Sequence, residues 1–297
     1  MNPHQKSRRN FLKTAAIGAC LAGVQGVTFP AFADELKERK IKAKWTCSSV
    51  NYQSLSLDEA CQRISSLGYE AIDIWDLIEG FLDCPHLQSV ADEYKADGLA
   101  KLLKKHKLAL CGFTVYMAKY PKFAELLGQC GGGVAIRGSR ERVKDRSVTQ
   151  DTKAFLEELK PELELCEKYD SYLAIENHSG HTLLDSLDSF KALVDLNTHP
   201  RLAIALAPHH IQLNKESVAD AIRICKDRLQ FIYLWTSEEG EKQMPGVGQT
   251  DVAEWFDALA DIDYSRYMTP FMHGEPAPDR MDELHRKSLK HLKSYTR

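Results

Sequence analysis

Beyond residue 40 the chain alternates short apolar runs with longer stretches whose apolar residues recur at helical spacing. Residues 42–49, 70–75, 108–115, 133–137, 172–176, 202–206, 229–235 and 267–272 read as strands. Residues 57–67, 97–106, 118–127, 149–169, 186–196, 215–226, 252–260 and 280–295 read as helices. Leu202-Ala203-Ile204-Ala205-Leu206 has no polar position, as expected of a strand covered on both faces. Strand then helix, repeated to the end of the chain, is the pattern of a parallel sheet with crossover helices. A doubly wound open sheet is the rival architecture. It would place a Gly-rich turn after the first strand, and Thr46-Cys47-Ser48-Ser49 is no such turn. The expectation is therefore a closed (β/α)8 barrel, one α/β domain over residues 34–297, close to the ~250 residues typical of that fold.

The first 33 residues follow a different logic. Ser7-Arg8-Arg9-Asn10-Phe11-Leu12-Lys13 opens an apolar stretch to Phe29, and Ala31-Phe32-Ala33 offers small residues for cleavage before Asp34. The arginine pair with Phe-Leu-Lys resembles the twin-arginine export consensus. The expectation is a signal peptide over 1–33 and a periplasmic or otherwise exported mature protein. Two alternatives stay open: retention as an anchor, and lipidation at Cys20, since Ile17-Gly18-Ala19-Cys20 resembles a lipoprotein box. The stretch contains Gly18, Gly23, Gly26, Gln25 and Pro30 and falls short of the ~20 apolar residues a span requires. No later segment is long and apolar enough to span a membrane.

Composition narrows the function. The formal net charge of −3 and the lack of a basic run after the signal give no reason to expect nucleic-acid binding. Seven cysteines remain beyond the signal, none in a CxxC pair, which supports neither a zinc knuckle nor a thioredoxin-type site. Their odd number excludes complete internal pairing, and several fall in predicted strands or on apolar helix faces, where cysteine packs as a small hydrophobe.

In a (β/α)8 barrel chemistry is built where the strands end. Here otherwise greasy strands end in Glu176-Asn177-His178, in Ala207-Pro208-His209-His210 and in His273-Gly274-Glu275. Carboxylate and imidazole groups from three strands would suit a divalent metal, with Glu176, His210 and His273 as ligands. His209, adjacent to His210, is expected to face elsewhere. His178 is a ligand, an acid/base or a loop residue. Asp76 and His86 are further candidates for the acid/base, with a cap as the alternative for Asp76. Arg137 would orient a substrate oxygen or pair with Glu176. Trp235 and Tyr116 would stack on a substrate ring or serve as packing.

Leu173-Ala174-Ile175-Glu176-Asn177-His178, the strand-six segment with His210 and the strand–helix alternation resemble the xylose-isomerase-like TIM-barrel superfamily. A bacterial group of sugar phosphate isomerase/epimerase type is similar in the segments 131–139, Leu206-Ala207-Pro208 and Met244-Pro245-Gly246-Val247-Gly248. The resemblance implies a metal-dependent isomerase, epimerase or lyase that removes a proton next to a sugar carbonyl, with Mn, Co, Zn, Fe or Ni more suitable than Mg or Ca. Its partner would be a small sugar or glycoside. Export favours a non-phosphorylated substrate such as a 3-keto-glycoside, and the few acidic and histidine ligands disfavour the DNA-repair branch. The chain departs from the superfamily's usual ligand set at three strand ends. Ala207 stands where members carry Asp, Tyr233-Leu234-Trp235-Thr236 lacks the usual His, and His273 or Glu275 would replace a Glu. A non-catalytic sugar-binding barrel that has lost part of its metal site is thus the rival reading, and a two-carboxylate glycosidase a third.

Overall fold

The computed structural model describes residues 40–80 and 82–297. The proposed signal, including Cys20, lies outside the described residues. Eight strands, β1 (Lys44–Ser48), β2 (Ala71–Trp75), β3 (Ala109–Thr114), β4 (Gly133–Gly138), β5 (Ser171–Glu176), β6 (Leu202–Leu206), β7 (Leu229–Leu234) and β8 (Tyr267–Pro270), form a closed barrel in sequence order. Every pairing is parallel, and β8 closes on β1 through Lys44 opposite Tyr267. The open-sheet alternative is excluded by that closure.

The helices are α1 (Leu57–Ser66), α2 (His86–Ser89), α3 (Lys95–His106), α4 (Tyr120–Gln129), α5 (Val148–Glu158), α6 (Lys160–Lys168), α7 (Leu187–Leu196), α8 (Pro208–Leu213), α9 (Val218–Cys225), α10 (Ala253–Asp261) and α11 (Pro278–Leu292). Local chemistry sets several boundaries. Ser56 begins α1 with a capping box closed by Glu59, and Ser147 begins α5 with one closed by Gln150. The long helix expected over 149–169 is two helices, because Pro161 lacks the N–H that would continue the α5 ladder and sits instead in the first turn of α6. The segments α2 and α8 escape sequence periodicity because they are only 4 and 6 residues long.

Alternation along the strands divides the buried residues into two layers. Leu173, Ile175, Leu202, Ile204, Leu206, Ile232 and Leu234 face the helices, while Ala174, Ala203, Ala205, Ala207, Phe231, Tyr233 and Trp235 fill the barrel. Fully burying each large aliphatic side chain contributes ~1.5–3 kcal/mol. Alanines on β6 face aromatic residues on β7, the small-against-large interdigitation that lets a barrel interior pack solid. Gly112 is required at the β2–β3 register shift, since a Cβ there would lie 2.0 Å from the Val134 carbonyl oxygen. The described cysteines are all free, and all but Cys130 are buried.

Candidate active site at the barrel mouth

The sequence Glu176-Asn177-His178 does three different things in three consecutive residues. Glu176 ends β5 in register with the interior face, buried, and its carboxylate accepts a hydrogen bond from the Tyr116 hydroxyl. Burial pushes its pKa up to about 8, although the Tyr116 hydrogen bond opposes the shift. Asn177 points sideways and grips the next strand: its Nδ2 donates to the Ala207 carbonyl at 3.1 Å, and its Oδ1 accepts from the Ala207 N–H at 2.7 Å. That grip fixes the start of α8, where Pro208 fits because the first helical N–H has no partner to lose. His178 then stands over Gly138, the end of β4, with its ring 5.8 Å from Tyr116 and 4.7 Å from His210.

Trp235 is the other centre of the mouth. It follows β7, is fully buried, and meets three imidazoles: His209 stacked at 3.9 Å, His273 tilted at 4.5 Å and His210 edge-on at 5.3 Å. Its indole N–H has no hydrogen-bond partner. The helical turn of α8 thus brings both His209 and His210 to the mouth, against the expectation that only one would face it. His209 Nδ1 is tied to the Thr236 carbonyl at 2.8 Å, and His210 Nδ1 lies 3.1 Å from Ser179 Oγ. Burial, reinforced by the neighbouring histidines, pushes the His210 pKa down to about 2, so this imidazole is neutral. His273 is exposed on the rim, and Glu275, beyond the turn at Gly274, is exposed as well.

Below these groups lies an aromatic floor. Trp75 stacks on Phe271 at 5.6 Å, and Tyr233 packs against both at 5.9 and 5.1 Å. Asp73, unremarked by the sequence reading, ties this floor together. It accepts hydrogen bonds from Trp75 Nε1 (2.6 Å), Thr114 Oγ1 (2.8 Å), Ser48 Oγ (2.9 Å) and the Tyr233 hydroxyl (3.3 Å). Burial raises its pKa to about 6 while those donors restrain it.

Three candidates lie away from this cluster. Arg137 points outward from β4 and pairs with Glu162 of α6, because alternation puts Ile136 and Gly138, not Arg137, on the interior side. It neither meets Glu176 nor faces the mouth. His86 is buried with Nε2 2.9 Å from the Leu55 carbonyl and Nδ1 3.4 Å from Cys84 Sγ, so both ring nitrogens are engaged in packing β2 to the loop before α1. Asp76, just past β2, pairs with Lys119 at 3.0 Å, while its Oδ1 is buried without a hydrogen-bond partner. A cavity of about 580 Å³ lined by Lys40, Lys42, Tyr264 and Arg297 opens where the strands begin. In this architecture that end carries stability and the opposite end chemistry.

The sequence from residue 61 to residue 295 matches the family of xylose isomerase-like TIM barrels. The chain belongs to that family. Over 157 residues it is 24% identical to an L-ribulose 3-epimerase of Methylomonas sp. (strain DH-1), a match spanning 52% of this chain and 46% of that protein. The alignment therefore covers less than half of the relative. Among solved structures, the 3-keto-D-glucoside 4-epimerase YcjR of E. coli superimposes with a TM-score of 0.66 at 16% identity, over 85% of this chain and 100% of that one. The IolI protein with a bound zinc atom gives a TM-score of 0.64 at 13% identity, over 85% and 97%. At these identities the structural likenesses speak for the fold.

The zinc in that neighbour raises the question of whether this mouth fits a metal. Among the described residues no three His, Cys, Asp or Glu side chains gather as a metal site, so Glu176, His210 and His273 do not form the expected ligand set. The physical reason is visible. A metal is bound through in-plane nitrogen lone pairs converging on one point, whereas His209, His210 and His273 are arranged around the Trp235 indole, and the Glu176 carboxylate is taken by Tyr116. The residues present do not fit a divalent metal.

Proposed function

We propose that the barrel mouth binds a small carbonyl-bearing sugar or glycoside and moves a proton at the carbon beside the carbonyl, the chemistry of a sugar isomerase or epimerase. The observation that carries this reading is Glu176: a carboxyl group on the inward end of β5, buried, held by Tyr116, and with its pKa raised to about 8. A proton carrier works best when its pKa lies near the working pH, and burial supplies that tuning here. The aromatic floor of Trp75, Tyr233 and Phe271 offers faces for the C–H side of a sugar, and the His178–His210 pair offers polar groups beside Glu176. The sugar epimerases among the relatives support the substrate class. With an oxidised 3-keto-glycoside, loss of the anomeric substituent after proton removal gives the lyase outcome, and this is the sharpest substrate proposal. The N-terminal twin-arginine motif supports export of the folded enzyme to the periplasm after cleavage near Ala33, where non-phosphorylated glycosides are met.

The test is NMR of 3-keto-glucosides and ketopentoses or ketohexoses incubated with the mature protein in D2O. Deuterium entering at the carbon next to the carbonyl, slowed by at least about 100-fold in Glu176→Gln, is the expected result. No exchange with any of these sugars would sink the reading. A non-catalytic sugar-binding barrel is the second reading, favoured by Ala207 standing where a ligand is usual in the family. It requires sugar binding without exchange and with no effect of Glu176→Gln on the bound sugar.

A further inference from the structure

We propose that this barrel mouth works without a resident divalent metal, the indole of Trp235 filling the space around which an ion's imidazole ligands would converge. The inference deepens the proton-transfer reading and rests on it for its chemical step. The interior-facing residues at the ends of β5, β6, β7 and β8 are Glu176, Ala207, Trp235 and Phe271. One of these four can ligate a cation; the others are a methyl group and two aromatic rings. The histidines of the mouth surround a ring rather than a point. His209 lies face to face with the Trp235 indole, 6° from parallel, so its face is covered by apolar carbon, while His210 and His273 touch the same indole from other sides. His209 Nδ1 is already committed to the Thr236 carbonyl. Inserting an ion among these groups would require moving a fully buried indole, packed also against Phe271 at 5.4 Å.

The chemical step balances on the chain's own groups. The C–H bond next to the carbonyl breaks, its proton passes to the Glu176 carboxylate, and the electron pair moves onto the carbonyl oxygen. An imidazole N–H of the His178–His210 pair hydrogen-bonds that oxygen, the electrostatic role that a cation plays elsewhere. Return of the proton to carbon regenerates the carbonyl and the carboxylate, so no oxidant, reductant or co-reactant is consumed.

Two measurements on the mature protein test this, and they fail independently of each other. Protein stripped with EDTA and freed of chelator is assayed for deuterium exchange into 3-keto-glucose glycosides with and without added Mn2+, Co2+ or Zn2+. The expected rates agree within about two-fold, whereas stimulation of about ten-fold or more by any of these ions would overturn the proposal. The same protein is titrated calorimetrically with Zn2+ alone. The expected result is no site tighter than about 10 μM other than one that survives both Glu176→Gln and His210→Ala and so lies outside the mouth. One-to-one binding below about 1 μM that disappears in either variant would overturn the proposal. If no sugar exchanges under any condition, the proton-transfer reading falls, and the zinc titration alone still decides whether the mouth holds a metal.

Discussion

Asp73 shows how one residue hidden in a strand can organise a site. Its strand, Ala71–Trp75, is buried at every position, and a carboxylate survives there because four donors surround it. Replacing it with Asn turns one acceptor oxygen into a donor facing donors, which should cost about 1–3 kcal/mol at pH 7–8. The pH dependence follows from the sign of the shift. The folded pKa, about 6, lies above the ordinary 3.8, so between those values the native state holds a proton that the unfolded chain has lost. Asp73 therefore lowers stability as pH rises through that window, and its effect is constant above it. Urea unfolding of Asp73→Asn minus wild type, measured from pH 4 to 8, should recover this slope. A difference that does not vary with pH would show that Asp73 is not the titrating group. Sequence reading missed Asp73 because a single carboxylate in an apolar run gives no sign of which face it occupies. The position of Glu176 at the end of β5 is legible because it closes an apolar run beside Asn177 and His178, whereas Arg137 misleads because nothing in Gly133–Arg137 states the parity of β4 relative to the barrel axis.

At the scale of elements, the site depends on how α8 is hung from β6. Periodicity gave the eight strands within a residue or two, since strands buried on both faces are unbroken apolar runs. It gave no hint of α8, a single turn and a half whose start is fixed by a side chain from another strand. Asn177 imitates a strand backbone by offering Ala207 both an acceptor and a donor. Asn177→Ala removes both hydrogen bonds and should cost about 1–3 kcal/mol, because it leaves the buried Ala207 N–H unpaired while the Ala207 carbonyl keeps the bond it accepts from the His210 N–H. Asn177→Asp keeps the acceptor for the Ala207 N–H but sets a second, charged oxygen against the Ala207 carbonyl at a buried position, so it should be at least as destabilising as alanine and displace α8. Sugar exchange should drop in both variants, since His209 and His210 ride on α8. Full activity in Asn177→Ala with the expected loss of stability would show that α8 is not part of the site. The loop after β7 is held by a comparable device. Glu238 accepts the backbone N–H groups of Gln249 and Thr250 and the Thr250 hydroxyl, and Gly248 is needed because a Cβ there would lie 2.4 Å from the Lys242 carbonyl oxygen as well as against the Glu238 carboxylate. The second glycine of the Met244-to-Gly248 segment is thus set by the tight loop after β7.

At the scale of the whole molecule, the barrel is completed by α11 crossing back over β1 and α1. Tyr52 donates to Asp282 at 2.7 Å, Arg63 bonds Asp279 and Asp282 at 2.9 and 3.0 Å, and His285 sits fully buried between Cys47 and Tyr69. Such contacts, separated by more than 200 positions in sequence, join the two ends of the fold and are invisible to local periodicity. His285 makes this junction sensitive to acid. Burial pushes its pKa down from 6.5 to about 3, so below pH 6.5 the unfolded chain takes up a proton that the folded one refuses. Its contribution to stability is fully present above pH 6.5 and is lost progressively as pH falls toward 3, the opposite tilt to that of Asp73. Between pH 4 and 6 the two slopes oppose each other in the wild type, and single substitutions should unmask them. His285→Gln retains a side-chain amide toward Tyr69 but has no proton to gain, so relative to wild type its stability should improve as pH falls below 6.5. Asp73→Asn should instead lose ground relative to wild type as pH falls, because the protonation that favours the native state is gone. Denaturant midpoints of both variants at pH 4, 5, 6 and 7 decide the matter: difference curves that tilt the same way would show that these two buried groups do not hold the protonation states their surroundings impose.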